Sequence, residues 1–148
     1  MKKLMVLIFA SILGCSMLNA NETPITQKQL PVIAQNYVKK HFSGIKYLSL
    51  LKDNEDGEFE VSLANGTKIE FNKNGEWKSV ENRNLSGVPT SVLMPSKLLV
   101  YLKTNYPKDK VFKFEKDSGL FSFEYKVKLS NGLELEFDKE GSFLRIDD

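Results

Sequence analysis

The stretch VSLANGTKIEFNKNG, Val61–Gly75, decides the fold because it returns later in the chain as VKLSNGLELEFDKEG, Val127–Gly141. Eight of the fifteen positions are identical at an offset of 66 residues, and both copies carry an Asn-Gly pair. An internal repeat of this kind indicates a structural unit that occurs twice. The identical residues of the first copy are Val61, Leu63, Asn65, Gly66, Glu70, Phe71, Lys73 and Gly75.

Apolar and polar residues alternate on both sides of each Asn-Gly pair, which is the period of a half-buried β-strand. A two-residue turn would put Val61 opposite Glu70 and would mix apolar with charged residues on one face. A three-residue loop that ends at Gly66 instead pairs Val61 with Ile69 and makes one face wholly apolar. The sequence therefore predicts this register in both copies, which pairs Phe59 with Phe71, Tyr125 with Phe137, Val127 with Leu135, Lys126 with Glu136 and Lys128 with Glu134.

A third strand is predicted after each hairpin, because a second loop containing a glycine returns the chain to the same sheet. Phe71 then lies opposite Trp77, and Phe137 lies opposite Phe143. The alternation of these aromatic residues and their mutual pairing predict that they belong to the core.

An amphipathic helix is predicted before each copy of the repeat. Each begins with a proline, Pro31 or Pro95, and proline is well tolerated in the first helical turn. A further strand follows each helix, at 45–51 and 111–115. The predicted apolar stripes are Ile33, Ala34, Tyr37, Val38 and Phe42 in the first helix, and Leu98, Leu99, Tyr101, Leu102 and Tyr106 in the second.

These elements predict an α+β protein with two tandem repeats, each one helix followed by a four-stranded antiparallel sheet. The first repeat spans residues 21–82, a connector spans 83–92, and the second repeat spans 93–148. Asn21–Thr26 is predicted to be a polar and flexible lead-in to the first repeat.

Residues 1–20 have the pattern of a secretion signal, with lysines at positions 2 and 3 followed by an apolar run, Leu4–Leu13. That run is too short for a membrane-spanning helix. Cleavage after Ala20 predicts a periplasmic or secreted bacterial protein. The alternative is a lipoprotein, because the segment that ends at Cys15 resembles a lipidation box and would place a lipid anchor on that residue.

The charge balance gives no reason to expect binding to nucleic acid. Loss of residues 1–20 lowers Lys+Arg from 21 to 19 and leaves Asp+Glu at 19, so the formal net charge becomes zero. Removal of Cys15, the only cysteine, also leaves no disulfide, so the apolar core must supply the stability.

The usual catalytic and metal-binding patterns do not occur. His41 is the only histidine, which leaves no zinc constellation, and we expect it to face the end of the first helix or the solvent. The acidic turn Asp53–Glu58 fails the EF-hand pattern, because Lys52 and Leu63 stand where that loop requires acids. We therefore expect no enzymatic activity, no metal and no cofactor.

The polar face of the sheets is the candidate binding surface. Strict alternation also places Val80, Leu144 and Ile146 on it, and apolar patches among charges are typical of a protein-binding surface. The alternative is an ordinary solvated face whose last strand slips in register. The candidate residues are Glu60, Lys68, Glu70, Lys78, Lys126, Lys128, Glu134 and Glu136.

Two copies of a proline-initiated helix, an Asn-Gly hairpin and an F-x-K-x-G-x-aromatic turn resemble the bacterial secreted PepSY-like proteins, also described as beta-lactamase-inhibitor-like. The turns here are Phe71–Trp77 and Phe137–Phe143. The resemblance covers nearly all of Leu30–Asp148 and implies two sheets that form a larger curved surface. The shared motifs are structural, so the resemblance transfers no catalytic residue.

Two functional hypotheses follow, and a third, an enzyme that uses two acids converging in a pocket with separated pKa values, has no support in the sequence. The first is a non-enzymatic, inhibitor-like binding protein that recognises an envelope or secreted protein, or a peptide, through its sheet face. The second is a protein that binds a small ligand or a cell-envelope polymer in the cleft between the repeats; a concave apolar pocket would favour it.

Overall fold

The computed structural model describes residues 20–147, so the predicted secretion signal and the lipidation alternative at Cys15 lie outside the described residues. The described part is an α+β protein with two α-helices and one antiparallel sheet. Neither helix within it has the length and apolar character needed to cross a bilayer. The helices are α1 (Val32–His41) and α2 (Ser96–Asn105), and the strands are β1 (Glu22–Pro24), β2 (Tyr47–Asp53), β3 (Phe59–Leu63), β4 (Lys68–Phe71), β5 (Trp77–Glu81), β6 (Val111–Ser118), β7 (Phe123–Leu129), β8 (Glu134–Phe137) and β9 (Phe143–Asp147).

The nine strands form one continuous sheet in the order β1 to β9, so the prediction of a four-stranded sheet in each repeat is not confirmed. The two halves join because β5 pairs with β6, with Val80 opposite Phe114 at the centre. An isolated first repeat would leave the outer backbone groups of β5 unpaired, and pairing with β6 satisfies them. We call this β5–β6 pairing the joint; it is part of the sheet itself.

The segment before α1 is ordered, which corrects the prediction of a flexible lead-in. β1 pairs antiparallel with β2 from Glu22 opposite Asp53 to Pro24 opposite Leu51. The Asn54 side-chain amide also donates to Thr23 Oγ1 at 2.8 Å. Pro24 cannot donate to a ladder, so its place on an outer strand is the one that a sheet tolerates.

The predicted hairpin register is confirmed in both repeats. Val61 lies opposite Ile69 and Val127 opposite Leu135, as the apolar alternation requires. The loop between β3 and β4 has three residues and ends at Gly66, whose φ of +85° suits glycine. The other predicted pairs also occur: Phe59 with Phe71, Tyr125 with Phe137, Lys126 with Glu136, Lys128 with Glu134, Phe71 with Trp77, and Phe137 with Phe143.

A bulge in the last strand of each repeat determines whether Val80 and Ile146 lie on the polar face of the sheet. The register shifts between Glu70 and Phe71 in the first repeat and between Glu136 and Phe137 in the second. One extra residue reverses the alternation beyond a bulge. Val80 therefore pairs with Ile69 on the apolar face and is fully buried, and Ile146 pairs with Leu135. The placement of Val80 and Ile146 on the polar face by strict alternation is wrong.

One apolar line crosses the sheet from β2 to β9, and both helices contribute to the same core. The helices approach the sheet closely at two equivalent glycines. A Cβ on Gly75 would lie 2.6 Å from Pro31 Cβ, and one on Gly141 would lie 3.0 Å from the Leu98 nitrogen. The line consists of Leu50, Val61, Ile69, Val80, Phe114, Val127, Leu135 and Ile146, each opposite the next.

The predicted helix starts are confirmed, because Pro31 and Pro95 are the residues that immediately precede α1 and α2. Ala34, Val38 and Phe42 are buried as predicted. Ile33 is an exception, since it is 57% exposed. It lies at the boundary between the two repeats, beside the groove described below.

Candidate functional site

The sheet face opposite the helices carries two polar rows that cross from β2 to β9. The residues of each row lie directly opposite one another on successive strands. The glutamate row is Leu51, Glu60, Glu70, Ser79, Glu115, Lys126, Glu136 and Arg145, and the lysine row is Ser49, Ser62, Lys68, Glu81, Lys113, Lys128, Glu134 and Asp147. We call the two rows together the polar face.

The structure brings seven of the eight predicted site residues into these two rows. Lys78 is the exception, because it is the extra residue of the β5 bulge. Its ammonium group binds the Glu58 carboxylate at 2.5 Å, next to the turn between β2 and β3. Lys78 therefore lies beside the polar face rather than in its rows.

Most charges on the polar face are neutralised by neighbours. Lys68 Nζ lies 2.8 Å from Glu60 Oε2, and Lys113 Nζ lies 2.6 Å from Glu115 Oε2. The Ser79 hydroxyl donates to Glu70 Oε2 at 3.0 Å. These contacts hold the side chains in defined positions, although each exposed ion pair contributes little to stability.

Glu136 is the most buried charge of the polar face, with 3% of its surface exposed. The Arg145 guanidinium contacts it, and Lys126 Nζ lies 3.4 Å from its Oε1. Lys126 also lies near the carboxylates of Asp117 and Asp147. Burial lowers the pKa of Lys126, but hydrogen bonds to Glu136 and Asp117 outweigh burial and hold that pKa above its ordinary value. Glu136 therefore positions two cations and does not itself reach the solvent.

Three like-charged pairs lie directly opposite each other within the two rows. Glu60 lies opposite Glu70, Lys113 lies opposite Lys128, and Glu134 lies opposite Asp147. Lys128 is exposed, and among residues 20–147 it forms no ion pair. Like charges in facing positions are unfavourable. The centre of the polar face thus has a cation available for a carboxylate from outside the chain.

The acidic turn at Asp53–Glu58 uses its carboxylates internally. The backbone N–H groups of Glu55 and Glu58 donate to Asp53 and Asp56 at 2.7 and 2.9 Å. The nearby Glu58 and Glu60 form ion pairs with Lys78 and Lys68. Within the described residues, no group of three or more His, Cys, Asp or Glu side chains is placed to hold a metal ion. The carboxylates of this turn therefore serve to hold the turn and to pair with neighbouring lysines.

A groove of about 390 Å³ lies on the opposite side of the sheet, between α1 and the start of the second repeat. The first repeat contributes Ile33 and Tyr37 from α1 and Trp77 from β5, and the second contributes Lys116 from β6. This small groove with an aromatic wall therefore lies where the first repeat meets β6 of the second.

The groove wall is part of a row of stacked aromatic rings across the joint. The Trp77 ring lies 5.0 Å from Phe114 and 6.3 Å from Tyr37, with interplanar angles of 26° and 22°. Tyr125 continues the row at 6.3 Å, nearly parallel to Trp77. Burial of the Tyr37 hydroxyl raises the pKa of that group. Trp77 is a core residue on one side, as predicted, and part of the groove wall on the other.

Two lysines, Lys40 and Lys116, also line the groove. Lys116 Nζ lies 5.2 Å from the centroid of Trp77 and 4.9 Å from that of Phe123. A cation over an aromatic face is attracted by the ring quadrupole. Lys116 lies opposite Tyr125 in the ladder and therefore projects on the same face as the core.

His41 is the last residue of α1, at the helix end as predicted, and it is half-buried against the connector. Its Nδ1 lies 3.1 Å from the Ser91 hydroxyl in the connector, and its ring lies 4.6 Å from that of Tyr37. Burial, followed by the neighbouring charge of Lys40, lowers the pKa of His41. Among the described residues, His41 forms no hydrogen bond with a carboxylate, whereas a catalytic triad requires an acid at that position.

The groove was not identified as a specific set of residues from sequence. The available signals were a tryptophan at the position where the second repeat has Phe143, and a lysine in phase with the buried Phe114. The decisive fact is the β5–β6 pairing, which places Lys116 beside Trp77.

The family model described as "Putative beta-lactamase-inhibitor-like, PepSY-like" matches residues 16–62 and 57–145. Three solved structures from Bacteroides are similar over most of the chain, and they confirm the predicted periplasmic location. Curated proteins give no match.

The first is a "putative periplasmic protein" of the DUF2874 family from Bacteroides vulgatus, with 37% identity, a TM-score of 0.75, and 87% of this chain and 98% of that chain covered. The second is a "putative calcium-regulated periplasmic protein" from Bacteroides thetaiotaomicron, with 37% identity, a TM-score of 0.75, and 86% and 97% covered. The third is a "putative periplasmic protein of unknown function" from Bacteroides vulgatus, with 34% identity, a TM-score of 0.74, and 86% and 99% covered.

Proposed function

Because this chain belongs to the PepSY-like, beta-lactamase-inhibitor-like family, we propose that it is a non-enzymatic, inhibitor-like binding protein of the periplasm. In this proposal its target is an envelope or secreted protein, or a peptide, and the contact surface is the polar face. The family description supports inhibition as the mode of action.

The observation that carries the proposal is an eight-strand-wide sheet face that lies opposite the core. Both helices contribute to the single core on the other side. An uncovered sheet of this width offers a broad surface whose backbone is rigid, and binding to such a surface costs little ordering entropy. Its ion pairs also fix long side chains before a partner arrives.

The charges favour a partner with a carboxylate at the centre of the contact. Lys113 and Lys128 face each other there, and only Lys113 has an acid, Glu115, within ion-pair distance among the described residues. Glu134 lies opposite Lys128 on the next strand. A partner would therefore need acidic groups at the Lys113–Lys128 pair and basic or neutral groups around it, which is a condition for specificity.

The non-enzymatic part of the proposal is supported by the state of the reactive groups. His41 is bound to Ser91 without an acid, and the buried Glu136 is neutralised by Arg145 and Lys126. A general acid or base needs an accessible group within reach of a substrate proton. Glu136 is too buried to meet that requirement, and the half-buried His41 has no acid beside it among the described residues.

The test is charge reversal at Lys128 with a matched control. Lys128→Glu would put a negative charge opposite Lys113, which is favourable, and opposite Glu134, which is unfavourable. Because the two effects oppose each other, we expect little change in stability. Lys108→Glu makes the same charge change in the exposed turn after α2, away from the polar face. Lys126 is a poor choice because its three acidic neighbours would be left without it.

The measurement is quantitative cross-linked capture from a periplasmic extract of the native host, with wild type and both variants as baits. We expect at least one protein to be retained by wild type and by Lys108→Glu and to be lost with Lys128→Glu. Equal retention by all three baits would exclude the centre of the polar face. Inhibition assays on the retained protein would then test the inhibitor-like mode.

A further inference from the structure

The groove between the repeats combines an aromatic wall with two cations, which is a different chemistry from that of the polar face. Trp77 and Tyr37 form the wall, and Lys40 and Lys116 supply the charge. Ile33 adds an apolar side chain that is 57% exposed. An apolar surface that a soluble protein leaves open beside fixed charges is typical of a ligand site.

The two lysines have no acid of their own. Among residues 20–147, neither Lys40 nor Lys116 forms an ion pair, whereas most lysines of the polar face do. Glu76 is the acid that lines the groove, and its Oε2 accepts a hydrogen bond from the Asn72 side chain at 2.8 Å. The groove therefore has an excess of positive charge.

The placement of Lys116 is unusual for a residue with that charge. It projects on the core side of β6, where Phe114 is fully buried, and its ammonium group lies over Trp77 and Phe123. An ammonium group has three donors, and aromatic faces satisfy them only weakly. A carboxylate in the groove would give Lys116 a charge-assisted hydrogen bond.

The groove arises at the joint of the repeats. Phe143 is the counterpart of Trp77 in the second repeat, and it stacks on Tyr101 at 4.8 Å. Within the described residues, β9 is the last strand of the sheet, so no strand equivalent to β6 follows it. The larger indole ring of Trp77 instead extends to Phe114 and Lys116 of the adjacent strand.

We infer that this groove binds a small organic acid with an apolar ring or chain. The apolar body lies against Trp77 and Ile33, and the carboxylate lies between Lys116 and Lys40. This site is on the other side of the sheet from the polar face, so the inference does not depend on the proposed protein partner.

The chain contains one tryptophan, and it lies in the groove, so its fluorescence reports binding there directly. The probe is cyclohexanecarboxylate, which does not absorb where tryptophan is excited. Cyclohexanemethanol and cyclohexanemethylamine carry the same ring with no charge and with positive charge. We expect a saturable change in Trp77 emission with the acid, and binding of the alcohol and the amine that is at least about tenfold weaker.

Three variants assign the effect to the groove. Lys116→Gln should weaken binding of the acid about tenfold or more, whereas Lys116→Arg should retain most of it. Lys139→Gln removes one exposed charge outside the groove and should bind like wild type. Far-ultraviolet circular dichroism of each variant verifies that the fold is intact.

Absence of a saturable signal with the acid would overturn the inference, and so would equal affinity for the acid, the alcohol and the amine. Equal affinity of wild type and Lys116→Gln would also overturn it. Each of these results leaves the capture experiment on Lys128 unaffected, so failure of the groove is distinguishable from failure of the polar face.

Discussion

Replacement of Gly75 by alanine tests the close approach of α1 to the sheet, which also forms one end of the groove. Gly75 has a φ of +87°, and an added Cβ would lie 2.6 Å from Pro31 Cβ and 3.2 Å from the Ala34 nitrogen. Gly132 provides a matched control in the other repeat. Its φ is +94°, but an added Cβ there would meet nothing within 4 Å.

The two substitutions share one cost and differ in another. A non-glycine residue in the left-handed region costs about 1–2 kcal/mol at either position. At Gly75 the new methyl group must also displace Pro31 and the first turn of α1, and such overpacking adds about 1–3 kcal/mol. We therefore expect Gly132→Ala to lower the free energy of unfolding by about 1–2 kcal/mol and Gly75→Ala to lower it by about 2–5 kcal/mol.

Urea unfolding measures the difference, followed in parallel by Trp77 fluorescence and by circular dichroism. Coincident transitions would validate a two-state treatment, and equal m-values would assign the change to stability. A Gly75→Ala variant whose free energy of unfolding lies within about 0.5 kcal/mol of that of Gly132→Ala would refute the reasoning. It would mean that α1 moves away from the sheet without loss of packing.

Three further predictions follow from the charges. Lys126→Met should lower the free energy of unfolding by about 1–2 kcal/mol more than Lys128→Met, measured by urea unfolding at neutral pH, because Lys126, unlike Lys128, helps Arg145 to neutralise the buried Glu136; equal losses would contradict this. In the folded state the pKa of His41 lies below its ordinary value of 6.5, so the unfolded chain binds that proton more readily. The free energy of unfolding should therefore fall as the pH decreases from above 6.5 towards the pKa of the folded state. Between pH about 7.5 and 5.5, His41→Asn should lose less free energy of unfolding than wild type. An equal loss in the two proteins would show that His41 does not cause the pH dependence. Calcium should leave the melting temperature unchanged relative to a chelator, since the acidic turn satisfies its own amides; a saturable rise with calcium would show a site that these carboxylates form by rearrangement.

The elements that could be predicted from sequence are those whose pairing is local. The β3–β4 and β7–β8 registers follow from alternation, because a shift by one residue would move Val61 or Val127 to the polar face. The proline before each helix is likewise a local signal. These features depend on neighbours in the sequence and were correct in both repeats.

The remaining features depend on contacts between distant segments. The β5–β6 pairing brings Val80 to Phe114, and a period-2 pattern cannot identify a partner strand beyond a helix. The bulges that bury Val80 also break the alternation on which the prediction relied. The groove needs both facts, since Trp77 and Lys116 meet across that pairing.

Comparison of the two repeats separates residues that specify the fold from those available for recognition. Most positions that are identical in both have a structural use. Val61 and Val127 are fully buried, and the side chains of Asn65 and Asn131 each accept a hydrogen bond from the backbone N–H two residues later. The positions of the joint and of the surfaces differ instead: Trp77 and Phe143, Lys78 and Leu144.

This division bears on function because duplication gives two copies of a fold but one joint. A ligand that used only duplicated features would have two equivalent sites, whereas the groove contains residues of both repeats, and the Lys113–Lys128 pair lies where the first repeat has Ser49 opposite Ser62. Lys128 corresponds to Ser62 in the first repeat at the same offset of 66 residues, so a reversal of charge at that position changes one site without an equivalent. Ser62→Glu is therefore the internal control for Lys128→Glu, because it adds a negative charge at the same place in the other repeat. A partner that recognises the centre of the polar face should be retained by Ser62→Glu and lost with Lys128→Glu.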